Sequence, residues 1–169
     1  MTIVQILLVI MVISLIVGPI MAMRPNPDQK RKERIRMAAR SMGLSFRITR
    51  LPKLSTETNE GETIACYFLH PTPAQLLRSE WMLRRTDYPH EANFYAEWDW
   101  TSSVKPCAEA QEYLRTQMIS LPRDVKAISA GPSGTSVYWQ EKGDEVVLAD
   151  LLDLLRRIAA FEDAQSKED

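Results

Sequence analysis

Two cysteines and two histidines are the residues of this chain best suited to binding a metal. They are Cys66, His70, His90 and Cys107, with the spacing C-x3-H-x19-H-x16-C. Structural zinc sites usually separate paired ligands by about two to four residues, and this spacing matches no familiar zinc module. The alternative is a buried thiol in a strand plus two loop histidines beside prolines. We therefore expect no metal or cofactor and keep these four residues only as candidate ligands.

The segment NFYAEWDW (93–100) could carry a different chemistry. Read as a strand, it places Trp98 and Trp100 on one face and Glu97 and Asp99 on the other. Paired carboxylates occur in hydrolases, and an aromatic face can stack bases or sugars. The alternative is an exposed polar face opposite an aromatic face that helices cover. These four residues are the candidate ligand or partner face.

Motifs of covalent and phosphate chemistry are absent from the sequence. There is no G-x-S-x-G nucleophile elbow, and the six glycines form no phosphate-binding loop. We therefore predict that the protein is not an enzyme.

Charge is divided sharply along the chain. Residues 24–53 hold ten basic and two acidic residues, a net charge of +8, whereas residues 54–169 carry a net charge of −9. The basic run lacks interleaved aromatic residues, so nucleic acid is not the expected partner. Basic residues beside a membrane are attracted to anionic phospholipid headgroups. The predicted lipid-surface residues are Lys30, Arg31, Lys32, Arg34, Arg36 and Arg40.

Residues 1–23 are almost entirely apolar. About 20 such residues span a bilayer as a helix, and a cleaved signal peptide would need a positive N-terminal region that this chain lacks. All nearby Lys and Arg follow the segment, so the positive-inside rule predicts the orientation of a single-pass membrane protein. Its N-terminus would lie outside and its C-terminal domain in the cytoplasm, where both cysteines would stay reduced.

The periodicity of the remaining sequence predicts an α+β fold. A transmembrane anchor (1–23) and a basic juxtamembrane helix (24–43) precede an α+β domain (44–161) and a disordered acidic tail (162–169). Within the domain we expect about six antiparallel strands packed with two helices. The first four strands would form a meander, and a hairpin at 125–140 would supply the last two. The expected helices cover 106–122 and 143–161.

The segment RPNPDQKRKERIRMAARSMGLSFRI, after an apolar span, resembles small, uncharacterised single-span inner-membrane proteins of Gram-negative bacteria. LPRDVKAISAGPSGTSVYWQEKGDEVVLADLL carries the same resemblance. At the level of topology, the span followed by RPNPDQKRKE is also similar to the YajC-type auxiliary subunit of the Sec translocase.

These observations predict a membrane-anchored accessory or scaffolding protein of an inner-membrane assembly. It would bind a membrane or cytoplasmic protein through its acidic domain. The alternatives are a ligand-binding or hydrolytic domain that uses the aromatic sheet face, and a Sec-translocase-type auxiliary subunit.

Overall fold

The computed structural model describes residues 3–22, 26–52, 61–73, 75–77, 79–86 and 93–165, and it describes no side chains for 18–22, 77 and 165. The chain divides into two compact units, Met1–Glu33 and Arg34–Asp169. The helices are α1 (Ile3–Ala22), α2 (Pro27–Ser41), a short 3-10 helix (Gln75–Leu77), α3 (Ala108–Met118) and α4 (Glu145–Gln165). The strands are β1 (Ser45–Arg50), β2 (Thr63–Leu69), β3 (Trp81–Arg85), β4 (Trp98–Trp100), β5 (Val125–Gly131) and β6 (Gly134–Trp139).

The first unit contains α1, whose described side chains, residues 3–17, are all exposed. Within the described residues, no helix has the length and apolar character needed to cross a membrane. The finding contradicts the predicted transmembrane anchor at 1–23. The same finding contradicts the predicted single-pass inner-membrane location, with its outside N-terminus and cytoplasmic domain.

The second unit is built on a six-stranded antiparallel sheet, as expected of an α+β fold. Its strand order is β1-β2-β6-β5-β3-β4, so the predicted meander of the first four strands is wrong. The β5–β6 hairpin lies between β2 and β3, and every residue of β6 is buried. A strand buried on both faces is stable only in the middle of a sheet.

Helices cover one face of this sheet. Ile35 of α2, Leu114 of α3 and Leu155 of α4 belong to one core cluster with the side chains of that face, such as Tyr67 and Val137. Each fully buried aliphatic side chain contributes about 1.5–3 kcal/mol. The domain therefore packs three helices and not the two predicted, because Ile35 and Ala39 of the basic helix belong to the core.

The opposite face has its own buried cluster, which includes Cys66, Met82 and Tyr138. Leu51, directly after β1, joins this cluster, and Arg84 donates a hydrogen bond to the Pro52 carbonyl. The chain leaving β1 therefore contributes to the cover of this second face.

Two predicted boundaries differ from the structure. The fourth strand contains only Trp98–Trp100, because Ala96 has a positive φ of 47°, a value that an extended strand does not permit. Helix α4 extends to Gln165, four residues into the segment predicted as a disordered tail. Residues 166–169 of that tail lie outside the described residues.

Candidate functional site

The candidate metal ligands lie in different environments. Cys66 is completely buried on the second sheet face, where burial raises the pKa of its thiol. His70 is exposed and within 2.9 Å of the Ser45 hydroxyl, and Cys107 precedes α3. His90 lies outside the described residues. In the part of the chain that the structure describes, no three His, Cys, Asp or Glu side chains are grouped as metal ligands would be.

The predicted aromatic face is mostly covered. Trp98 is only 1% exposed, and the Arg85 guanidinium lies 4.7 Å from the centre of its ring. Trp100 is half-buried, with its ring centroid 5.6 Å from that of Trp81. Because stacking a ligand needs an open ring face, the geometry favours a packing role for these tryptophans.

The two carboxylates of this segment already have partners. Glu97 forms a 2.8 Å ion pair with Arg85, and Asp99 accepts a hydrogen bond from the Trp100 amide at 2.8 Å. Burial of Arg85 lowers the pKa of its guanidinium. Glu97 precedes β4 and does not lie on it, so the two acids do not form the regular pair that strand alternation predicted.

The six predicted lipid-surface residues divide into two groups. Lys30, Arg31 and Lys32 lie in the first unit, where Arg31 contacts Asp28 at 3.3 Å. Arg34 and Arg40 are exposed on the second unit. The side chain of Arg36, in contrast, is directed into the domain and is 30% exposed.

Arg36 belongs to a buried network that the sequence did not reveal. Its Nε and Nη2 atoms each donate a 2.8 Å hydrogen bond to the Glu141 carboxylate, and Tyr67 donates a 2.5 Å hydrogen bond to the same group. The hydrogen bond to Glu141 raises the pKa of the Arg36 guanidinium. The pKa of the Tyr67 phenol is also raised, mainly by burial and secondly by its hydrogen bond to Glu141. Because the three side chains satisfy one another, the network joins α2 to the sheet.

A groove between α3 and α4 is a concave site among the residues that the structure describes. Its volume is about 450 Å³, within the usual range of about 300–1,000 Å³ for ligand sites. The middle of α3 packs against the later turns of α4, where the ring centroids of Tyr113 and Phe161 lie 5.6 Å apart. The lining residues are Tyr113, Gln117, Ser120, Leu121, Pro122, Val147, Asp150, Leu151, Asp153 and Leu154.

The groove combines an apolar floor with an acidic rim. Leu151 and Leu154 are buried at its base, whereas Asp150 and Asp153 are exposed on α4. Burial raises the pKa of the Tyr113 phenol at one end. In the sequence, the only signal for the pair Asp150 and Asp153 is their spacing of three residues, which places them on the same side of one predicted helix.

Comparison of the chain with known protein families, with curated proteins and with solved structures found no match. The resemblances to single-span proteins and to the Sec auxiliary subunit therefore stay predictions.

Proposed function

We propose that residues 34–169 form a protein-binding domain whose α3–α4 groove takes an apolar segment carrying Lys or Arg. The observation that carries this proposal is the pairing of an apolar floor with the exposed carboxylates Asp150 and Asp153. Leucine or aromatic side chains of the partner would fill the groove, and a neighbouring cation would meet the rim.

Charge supports the same class of partner. The proposed domain, residues 34–169, carries a net charge of −3, whereas residues 54–169, which contain both helices of the groove, carry −9. This excess of acidic residues favours encounter with a basic segment. Val146, one turn before Asp150 on α4, is 68% exposed. It adds exposed apolar surface that a partner side chain can cover.

A peptide-library experiment tests the proposal. The full chain would be screened against a random library of twelve-residue peptides, and the enriched sequences should combine Lys or Arg with large apolar residues. Binding should weaken about tenfold in the D150N/D153N variant, because each rim contact contributes about 0.5–1 kcal/mol. It should also weaken as salt rises.

The control is the E109Q/E112Q variant, which removes the same charge from exposed positions of α3 outside the groove. S120W fills the groove from an exposed lining position without removing a core contact. Equal weakening by both charge variants would show non-specific attraction. Full binding to S120W would show that the groove is not the site. Either result refutes the proposal.

A further inference from the structure

The exposed side of α2 carries an apolar side chain between two arginines. Arg34, Met37 and Arg40 are all exposed, and Met37 is 62% exposed. Their spacing of three residues places them on successive turns of one helix. Neither arginine forms an ion pair within the part of the chain that the structure describes. These three residues, the basic face of α2, are therefore open to a partner.

Packing on the other side of α2 fixes this face outward. Ile35 and Ala39 are buried in the core, and Arg36 donates two 2.8 Å hydrogen bonds to Glu141. The helix cannot turn Met37 inward without breaking these contacts, and Met37 does not line the α3–α4 groove. Within one copy, the basic face consequently points to solvent and leaves the groove open.

We propose that the basic face of α2 in one copy docks into the α3–α4 groove of another copy, so that the chain binds itself head to tail. This inference rests on the proposed function and names its partner, because the basic face is an apolar side chain flanked by cations. Met37 covers the apolar floor, since methionine adapts its shape to irregular apolar surfaces. An arginine of the basic face pairs with Asp150, which is exposed at the rim.

Distances along the two helices suit this arrangement. Arg34 and Arg40 lie about 9 Å apart along α2, with the apolar residue midway between them. Asp150 and Asp153 lie about 4.5 Å apart along α4, so the arginines approach the rim from either side of the buried methionine. Asp153 also contacts Arg156 of its own helix at 3.8 Å, but both side chains are mostly exposed. Such an exposed pair contributes little, and Asp150 is therefore the main acceptor.

Charge and symmetry set the form of the assembly. The domain carries a net charge of −3, but salt screens repulsion between copies beyond about 8 Å, whereas the basic face and the acidic rim attract at contact distance. Glu33, exposed one turn before Met37 on α2, opposes the contact. Because the two surfaces differ, one contact leaves a free face and a free groove, and association forms a series of species and not a single closed dimer.

Photo-crosslinking of the full chain tests the proposal. Copies with p-benzoyl-phenylalanine in place of Met37 are mixed with isotope-labelled copies that keep the native residue, so that mass identifies crosslinks between copies. These crosslinks should map to groove residues such as Gln117 and Leu151. The same photoreactive residue in place of Ile48, which is 51% exposed on β1, is the control and should not reach the groove.

Exchange of charge separates docking from general association. R34Q/R40Q in the crosslinking copy, or D150N/D153N in the acceptor copy, should lower the yield about tenfold, whereas E33Q should raise it severalfold. R34E/R40E should abolish crosslinking to native acceptor copies and regain it with acceptor copies that carry D150K/D153K. All these positions are exposed, so the variants should fold.

Three results would overturn the proposal. They are crosslinks from position 37 that avoid the groove, an equal yield in the groove from position 48, and failure of the exchanged charges to restore crosslinking. If library peptides still bind the groove in that case, the identity of the partner is wrong and the proposed function stands. If neither the peptides nor a second copy enters the groove, both are wrong.

Discussion

Replacing Glu141 by glutamine is expected to cost about 3 kcal/mol of unfolding free energy. Glu141 is only 2% exposed and accepts two hydrogen bonds from Arg36 and one from Tyr67. A glutamine keeps one acceptor oxygen, but its NH2 group cannot accept the hydrogen bonds that Arg36 and Tyr67 donate to the second carboxylate oxygen or to both. The substitution also leaves Arg36 without its opposite charge.

The magnitude follows from the individual contacts. A hydrogen bond to a charged group contributes about 1.5–3 kcal/mol, and the substituted glutamine side chain could retain one of the three. Because the Arg36 side chain is 30% exposed, water can replace part of the hydrogen bonding that it loses. The loss of unfolding free energy in E141Q therefore stays below the sum of the separate hydrogen bonds. A double-mutant cycle with R36M should give a coupling of about 2 kcal/mol between the two side chains.

Urea unfolding of the full chain, followed by tryptophan fluorescence, measures these values. E112Q is the matched control, because Glu112 is an exposed acid on α3 and its loss should stay within about 0.5 kcal/mol. If E141Q lost less than about 1 kcal/mol, or if the cycle gave no coupling, the network would not stabilise the fold as argued.

Two further predictions concern the same sheet. Because burial raises the pKa of Tyr67 above its ordinary value of 10.0, native stability should fall as pH rises past about 10, where only the unfolded phenol ionises. Y67F should be less stable at neutral pH by about 1–2 kcal/mol yet lose less between about pH 9 and 11; an unchanged alkaline slope would contradict this reasoning. G134A should cost at least about 3 kcal/mol, since Gly134 has a φ of 94° and an added Cβ would meet the backbone of β2. G43A, at a φ of 86° with open space around it, should cost only about 1 kcal/mol, and similar losses in both variants would show that the contact has no cost.

Local patterns predicted the elements better than their arrangement. The alternation of β1, the apolar run of β2 and the Gly-bounded hairpin each have a short-range signal, and all are strands in the structure. The insertion of that hairpin between β2 and β3 depends on burial summed over the whole sheet, which no local window contains. Ala96 shows that a local pattern can also mislead. Apolar and polar residues do alternate in NFYAEWDW, but the positive φ of Ala96 keeps the strand from extending over the whole segment.

The network and the groove could not be predicted for a related reason. Arg36 and Glu141 are 105 residues apart, and each looked like an ordinary surface charge in sequence. The interpretation of the basic run as a uniform charged surface treated its members alike, whereas the fold directs Arg36 inward and leaves Arg34 and Arg40 exposed. Charge counts predict the sign of a surface but not which members of a run form it.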